Sequence, residues 1–276
     1  MNDGPRRDQE VHELGAQLLQ LAADVARQAG ALVKAGRSDG VHALSTKSSL
    51  TDMVTEFDRA SEQLIVQRIT TTRPHDGIIG EEGTSRPGTS GVDWLIDPID
   101  GTTNFLYDLP GYAVSIAAAD RHGALIGAVY VPSLDELFTA QRGCGAELNG
   151  TPIHCSERDD LGSALVGTGF SYVPERRAAQ AARVARLIPH VRDIRRFGAA
   201  AVDLCFVAMG RLDAYFEEHL GPWDLAAGEL IAREAGCRTG DYHGAPARPQ
   251  QVLVTNAQLF EPLAQLIRQA SPADPS

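Results

Sequence analysis

The sequence predicts a layered α/β sandwich, an antiparallel sheet half packed with a second α/β half, on three observations. A long amphipathic helix opens the chain, β runs broken by turn signals fill residues 112–148, and strand and helix patterns alternate from about Leu161. At 276 residues the chain can bury a large core without disulfides or metal staples.

From the N-terminus, residues 1–10 are polar, carry Arg6 and Arg7, and are expected to form a flexible tail. No apolar stretch of signal length follows, which argues against secretion. Val11, Leu14, Leu18, Leu21, Val25, Leu32 and Val33 then recur at three- and four-residue steps, the pattern of an amphipathic helix and not of a membrane span. Gly36 to Ser49 is a polar connection. A second helix is expected to start near Thr55, whose spacing to Asp58 resembles a capping box ahead of Leu64, Ile65 and Ile69, and to end over Thr70–Pro74.

Ile78-Ile79 has the form of a short strand running into Gly80-Glu81-Glu82-Gly83, followed by turn residues up to Val92. The next strand delivers Asp97. Between Tyr112 and Leu148 the β runs, punctuated by Arg121-His122-Gly123, Pro132-Ser133 and Arg142-Gly143-Cys144-Gly145, predict an antiparallel meander. Strands are then expected at Leu165–Thr168, Asp193–Arg196, Leu212–Glu217 and Val252–Val254, and helices from Glu175, Ala199, Pro222 and Ala257. These divide the chain into halves 11–160 and 161–270, with 271–276 a frayed tail.

The net charge of -11 and a pI near 5.2 argue against a direct nucleic-acid or anionic-membrane binder, since both need a basic surface. An anionic substrate would need a cation to bridge it. Cys144, Cys155, Cys205 and Cys237 show no paired spacing and are expected to be reduced, cytosolic and mostly buried.

The chemistry concentrates in Trp94-Leu95-Ile96-Asp97-Pro98-Ile99-Asp100-Gly101-Thr102-Thr103-Asn104. Magnesium takes oxygen ligands in near-octahedral array, commonly a few carboxylates plus substrate phosphate. Asp97 and Asp100 supply two carboxylates from one turn, and Pro98 lets the Ile99 carbonyl face the same cation. Gly101, Thr102 and Thr103 then begin a helix or tight turn with free N–H groups, which suits a phosphate. Each acid also has a plain structural reading. Asp97 and Asp100 could form an N-cap and a solvated turn, Glu81 and Glu82 surface charge, Asp58 a cap, and Asp224 an acid in the first turn of a helix.

Two other patterns point to different reactions. Gly36-Arg37-Ser38-Asp39-Gly40 fits a G-x-S-x-G elbow, but a helix precedes it where an elbow needs a strand. Cys205 and Arg211 have the spacing of a cysteine-phosphatase loop, yet Phe206-Val207-Ala208-Met209 between them has the character of a buried helix face.

Three separate junctions carry acids suited to one metal cluster. Together, Gly80-Glu81-Glu82, the stretch from Trp94 to Phe105, and Pro222-Trp223-Asp224-Leu225-Ala226-Ala227-Gly228 resemble the signature motifs of the inositol monophosphatase family, and Lys47 with Asp52-Met53-Val54-Thr55-Glu56-Phe57-Asp58 matches too. The motifs run in order over nearly the whole chain. The resemblance implies an αβαβα sandwich of the sugar-phosphatase type and magnesium-dependent hydrolysis of a small phosphate monoester, foremost inositol 1-phosphate.

It further implies a first magnesium on Glu81, Asp97 and the Ile99 carbonyl and a second on Asp97, Asp100 and Asp224, with Lys47 near a third, weak position or the phosphate. Most ligands then come from the first half and Asp224 from the second. Glu81 and Thr102, with Asp58 behind Thr102, would orient a water for in-line attack, while the Gly101 and Thr102 N–H groups would hold the phosphate and Ile99 and Asp100 would also meet the substrate. Glu217 and the backbone of Ala200 would meet the polyol ring. Ala199 stands where relatives commonly have Ser or Thr, which removes one hydroxyl. His219 is expected to be exposed, with substrate contact the alternative. The resemblance also implies lithium inhibition, a homodimer and a cytoplasmic location. Histidinol phosphate and fructose 1,6-bisphosphate are alternative substrates on this scaffold, and a non-catalytic protein-binding role in transcription or ribosome assembly is the alternative of a different class.

Overall fold

The computed structural model describes residues 4–39, 44–46 and 53–270. Helix α1 (Gly4–Asp39) starts inside the segment expected to be a tail. One-turn side-chain pairing accompanies this extension, since Gln9 Nε2 donates to Glu13 Oε1 at 2.9 Å. Strands β1 (Leu44–Thr46) and β2 (Met53–Thr55) form an antiparallel ribbon. Helix α2 (Glu56–Thr72) follows with the expected cap: the Thr55 hydroxyl accepts from the Asp58 N–H at 3.3 Å, and the Asp58 carboxylate accepts from the Thr55 N–H at 2.7 Å.

The first large sheet comprises β3 (Gly77–Gly80), β4 (Ser85–Arg86), β5 (Asp93–Asp100), β6 (Ala113–Asp120), β7 (Gly123–Val131), β8 (Glu136–Gln141), β9 (Gly145–Leu148) and β10 (Thr151–Pro152). Its order is β10-β9-β8-β7-β6-β5-β3-β4, parallel between β3 and β5 and antiparallel elsewhere. The expected meander is β6 to β9. A short helix, α3 (Thr102–Leu106), leaves the end of β5.

The second half runs β11 (Leu165–Thr168), α4 (Pro174–Leu187), β12 (Asp193–Arg195), α5 (Ala200–Ala208), β13 (Ala214–Glu217), α6 (Pro222–Glu234), β14 (Arg238–Gly240), β15 (Val252–Thr255) and α7 (Ala257–Ala270). Its sheet has the order β12-β11-β13-β15-β14, with β12, β11 and β13 parallel and β15 antiparallel to both its neighbours.

The layers follow from which faces are apolar. On α1, Leu18, Ala22, Val25, Ala26, Ala29 and Val33 are buried at three- and four-residue steps, and with Ile65 and Ile69 of α2 they cover one face of the large sheet. Helix α5 is buried on nearly every side, as a helix between two sheets must be. It shares with α6 a core that joins Val129 and Phe138 of the first half to Tyr215 and Val254 of the second. Helix α7 and the end of α4 cover the outer face of the second sheet through Leu187, Leu253, Phe260 and Leu263. Helices, sheet, helices, sheet and helices therefore stack in αβαβα order.

Close approach of α6 to the large sheet depends on Gly127, where an added Cβ would lie 2.8 Å from the Ala227 carbonyl oxygen. Gly36 to Asp39 continue α1, so no strand precedes Ser38 and the elbow reading falls. Cys205 is in the core of α5, as expected, and Cys237 is buried too. Cys144, in a surface turn, is exposed, and Cys155 is half-buried. Among the described residues, no helix is long and apolar enough to cross a membrane.

Candidate active site

The two aspartates of β5 are three residues apart, and in a regular strand they would point to opposite faces. The ladder to β6 shifts between them: Asp97 pairs with Ser115 and Asp100 with Ala113, so β5 spends one residue more than its partner. This is a β-bulge, and it brings both carboxylates to the same side. Pro98 sits within the bulge, and its carbonyl accepts the Ser61 hydroxyl from α2 at 3.1 Å. Asp97 Oδ1 accepts the Ile99 N–H at 3.0 Å, which fixes the turn.

Asp97, Ile99, Asp100, Gly101 and Thr102 line one wall of a cavity of about 270 Å³. Glu81 and Asp224 reach the same cavity from two other elements. The turn bearing Glu81 is held by Glu62 of α2, which accepts the Glu82 N–H at 2.8 Å, the Thr84 N–H at 3.1 Å and the Thr84 hydroxyl at 2.6 Å. Asp224 lies in the first turn of α6 and accepts the Gly221 N–H at 2.7 Å. It is thus both a cap and a wall of the cavity.

Asp58 also combines the two readings. Besides capping α2, its Oδ1 lies 3.1 Å from the Thr102 hydroxyl, which is equally 3.1 Å from the Ile99 carbonyl oxygen. One hydroxyl hydrogen serves only one of these acceptors at a time. Burial, with the nearby Glu81 charge adding to it, raises the Asp58 carboxyl against the bonds from Thr55 and Thr102.

Gly101 adopts the left-handed conformation at φ 88°, and a Cβ there would lie 3.0 Å from Ala199 Cβ and 3.1 Å from the Gly111 carbonyl oxygen. Only glycine fits both constraints, so the chain can turn from β5 directly into α3. Asp100 meets the second half at this point, its Oδ1 accepting the Ala200 N–H at 3.1 Å and its Oδ2 the Ala201 N–H at 2.7 Å. Ala199, at the N-cap of α5, has no capping side chain of its own, and Asp100 serves that end of the helix instead. The Ala200 backbone, expected near a substrate ring, thus has its N–H engaged by Asp100, and Ala200 lines the cavity.

The acids from β5, the Glu81 turn and α6 act on one another. Burial raises Asp97 well above the ordinary carboxylate range, and Glu81, Asp100 and Asp224 each push it further. A side-chain contact with Glu81 acts on Asp97 in the same direction. Burial likewise raises Asp100, with Asp224 next in effect and the Ala201 N–H opposing. Buried acids that repel one another call for a cation. No group of three or more Asp, Glu, His or Cys side chains among the described residues forms a ready cage for one. The acids line one cavity without forming a closed cage. Each carboxylate oxygen of Asp100 retains an acceptor position beyond its N–H bond.

The rest of the lining comes from the second half. Gly169 to Val173, Arg176, Arg196, Glu217 and His219 belong to it. Burial pushes Glu217 up to about 7, against the hydrogen bond from Tyr215 and the pull of Arg196. His219 is exposed at the rim, as expected, with its pKa lowered by partial burial and by Arg176. Lys47 and Asp52 lie outside the described residues. The motifs did not point to Arg176, Arg196, Glu62 or Tyr215. For Tyr215 a signal existed, because it stands two residues from Glu217 in a β run and so shares its face.

Similarity to known proteins agrees with this geometry. The model of the inositol monophosphatase family matches residues 15–272. The inositol-1-monophosphatase of Mycobacterium leprae is 45% identical over 238 residues, covering 80% of this chain and 82% of that protein. The Nus factor SuhB of Pasteurella multocida is 42% identical over 229 residues, covering 82% and 86% respectively. The crystal structure of the extragenic suppressor protein suhB from Bartonella henselae matches with a TM-score of 0.87 and 33% identity, over 92% of this chain and 99% of that one.

Proposed function

The chain belongs to the inositol monophosphatase family, and on that premise we propose that it hydrolyses a small phosphate monoester, foremost inositol 1-phosphate, to the free alcohol and inorganic phosphate with magnesium. Glu81, Asp97 and the Ile99 carbonyl would hold one ion and Asp97, Asp100 and Asp224 a second, with Asp97 shared. When bound, magnesium offsets the charge on the phosphate and on the departing oxygen and makes water a stronger nucleophile.

The remaining tasks fall to the chain. Glu81 and the Thr102 hydroxyl orient the attacking water, and Asp58 accepts the Thr102 hydrogen so that an oxygen lone pair faces the water. Gly101 and Thr102 receive the phosphate at the start of α3. Glu217 and the wall at Ala200 face the alcohol. A water oxygen–phosphorus bond forms, the ester oxygen–phosphorus bond breaks, and the departing oxygen takes up a proton.

The observation supporting this most strongly is the convergence of Glu81, Asp97, Asp100 and Asp224 on one cavity, where the charges of Glu81, Asp100 and Asp224 each raise Asp97. Phosphate release from inositol 1-phosphate, histidinol phosphate, fructose 1,6-bisphosphate and adenosine 3',5'-bisphosphate tests it. Inositol 1-phosphate should give the highest kcat/KM, with activity lost on chelation and inhibited by lithium. Preference for histidinol phosphate would replace the substrate and keep the chemistry.

A second reading is favoured by the name of the Pasteurella relative, a Nus factor: protein binding in transcription or ribosome assembly. Absence of release from any ester, with co-purification of polymerase or ribosomal proteins, would select it. The acidic net charge of -11 disfavours direct contact with nucleic acid. A cytoplasmic homodimer is the assembly proposed, to be checked by light scattering and cell fractionation.

A further inference from the structure

Glu217 is held from two directions by residues to which no role has yet been given. Tyr215, two positions earlier on β13 and on the same face of the strand, is fully buried, and its hydroxyl donates a short hydrogen bond to Glu217 Oε2. Among the described residues that carboxylate is the hydroxyl's partner. A buried phenol needs such a partner, so the two side chains fix each other.

Gly169 lies just past the end of β11, which pairs with β13 through Thr168 and Phe216. A Cβ at Gly169 would stand 2.0 to 2.1 Å from the carboxyl atoms of Glu217. The space that Glu217 occupies therefore exists because residue 169 has no side chain. The backbone of Gly169 is outside the left-handed region, and the nearest atoms an alanine Cβ would meet there all belong to Glu217. Tyr215 and Gly169 together constrain the carboxylate, which lines the same cavity as Asp97 and Asp100.

We infer that Tyr215 is a positioning residue that holds the Glu217 carboxylate toward the departing alcohol, so that the preference for a polyol ester over a phenol ester depends on the Tyr215 hydroxyl and on the space left by Gly169. The inference rests on the phosphatase reading and deepens it. An aliphatic polyol can donate hydroxyl hydrogens to a fixed carboxylate, whereas a phenol ester presents only a ring and leaves the carboxylate unmatched.

The test compares kcat/KM for inositol 1-phosphate and phenyl phosphate in the wild type, Tyr215→Phe and Gly169→Ala, and in Tyr215→Phe combined with Glu217→Ala. Tyr215→Phe keeps the ring and removes one oxygen. It should lower kcat/KM for inositol 1-phosphate roughly tenfold, chiefly through KM, and shift phenyl phosphate less than about twofold. Gly169→Ala should move the same ratio in the same direction, and it carries the test if Tyr215→Phe does not fold. Once Glu217 is alanine, removing the Tyr215 hydroxyl should change the ratio no further.

An equal fall for both esters in a normally folded Tyr215→Phe protein, or an undiminished effect after Glu217→Ala, overturns the inference. A wild type that turns over both esters without preference overturns it too and leaves the phosphatase reading standing. A wild type that releases phosphate from neither overturns both.

Discussion

Asp100 caps a helix that belongs to the other half of the protein: its Oδ2 accepts the Ala201 N–H at 2.7 Å, across a hundred residues of sequence. The carboxylate proposed to hold a cation is therefore also a bond between the end of β5 and the start of α5. Occupation of the site should stabilise both halves together, because the ligands span β5, the turn after β3 and the first turn of α6.

The first expected consequence concerns pH. Asp97 and Asp100 have folded-state pKa values raised above the ordinary 3.8, chiefly by burial. The folded state thus holds protons that the unfolded chain releases, and the stability they contribute is complete below 3.8 and lost as pH rises through the raised values. Asp76, Asp120 and Asp193 have lowered values, so they act below that window. Metal-free protein should melt at progressively lower temperature as pH rises above the ordinary carboxylate range, and the increase in Tm on adding magnesium should grow over the same range. Calorimetry at several pH values with and without magnesium checks it; a magnesium shift independent of pH would contradict it.

Asp97→Asn should separate activity from stability. Asparagine can still accept the Ile99 N–H, while it removes the charge that Glu81, Asp100 and Asp224 oppose. Turnover should fall by about 10³-fold or more. In metal-free buffer at pH 8 the variant should melt no lower than the wild type, and its response to magnesium should be weakened. Retained activity would refute the shared-ligand role.

Gly101→Ala should damage the fold and the site together. A Cβ at φ 88° would sit 3.0 Å from Ala199 Cβ and 3.1 Å from the Gly111 oxygen. Backbone strain and crowding of this kind cost about 1–3 kcal/mol. Denaturant unfolding should show a loss of that order, and an unchanged midpoint would mean that the turn is less constrained than its geometry indicates.

Thr102→Val tests the hydroxyl that faces Asp58 at 3.1 Å. Valine keeps the shape and removes the group proposed to orient water, so kcat should drop about 10²-fold or more with KM little changed. A change confined to KM would assign Thr102 to substrate binding alone.

Much of the fold was legible because its signals are local. The meander from β6 to β9, the capping box at Thr55 and Asp58, and the start of α6 at Pro222 each depend on a few adjacent residues. The start of α1 was misplaced because a polar, charged opening suits an exposed helix as well as a tail. The convergence of the site acids is less local. Asp97 and Asp100 share a side only because of the bulge against β6, for which Pro98 is a hint and not a rule. Glu62 escaped notice since an acid in a helix is ordinarily solvated, whereas here it anchors the Glu81 turn through three bonds. The capping and site readings of Asp58, Asp100 and Asp224 also proved compatible, because each carboxylate has enough acceptor positions for both.

The most direct test of the central claim, that Glu81, Asp97, Asp100 and Asp224 together hold divalent cations, is anomalous diffraction from crystals soaked in manganese, a magnesium substitute visible at its absorption edge. Two peaks are expected within about 2.5 Å of these carboxylate oxygens, one of them also near the Ile99 carbonyl. A cavity without anomalous density at saturating manganese, in crystals whose Asp97 and Asp100 are clearly ordered, would contradict it.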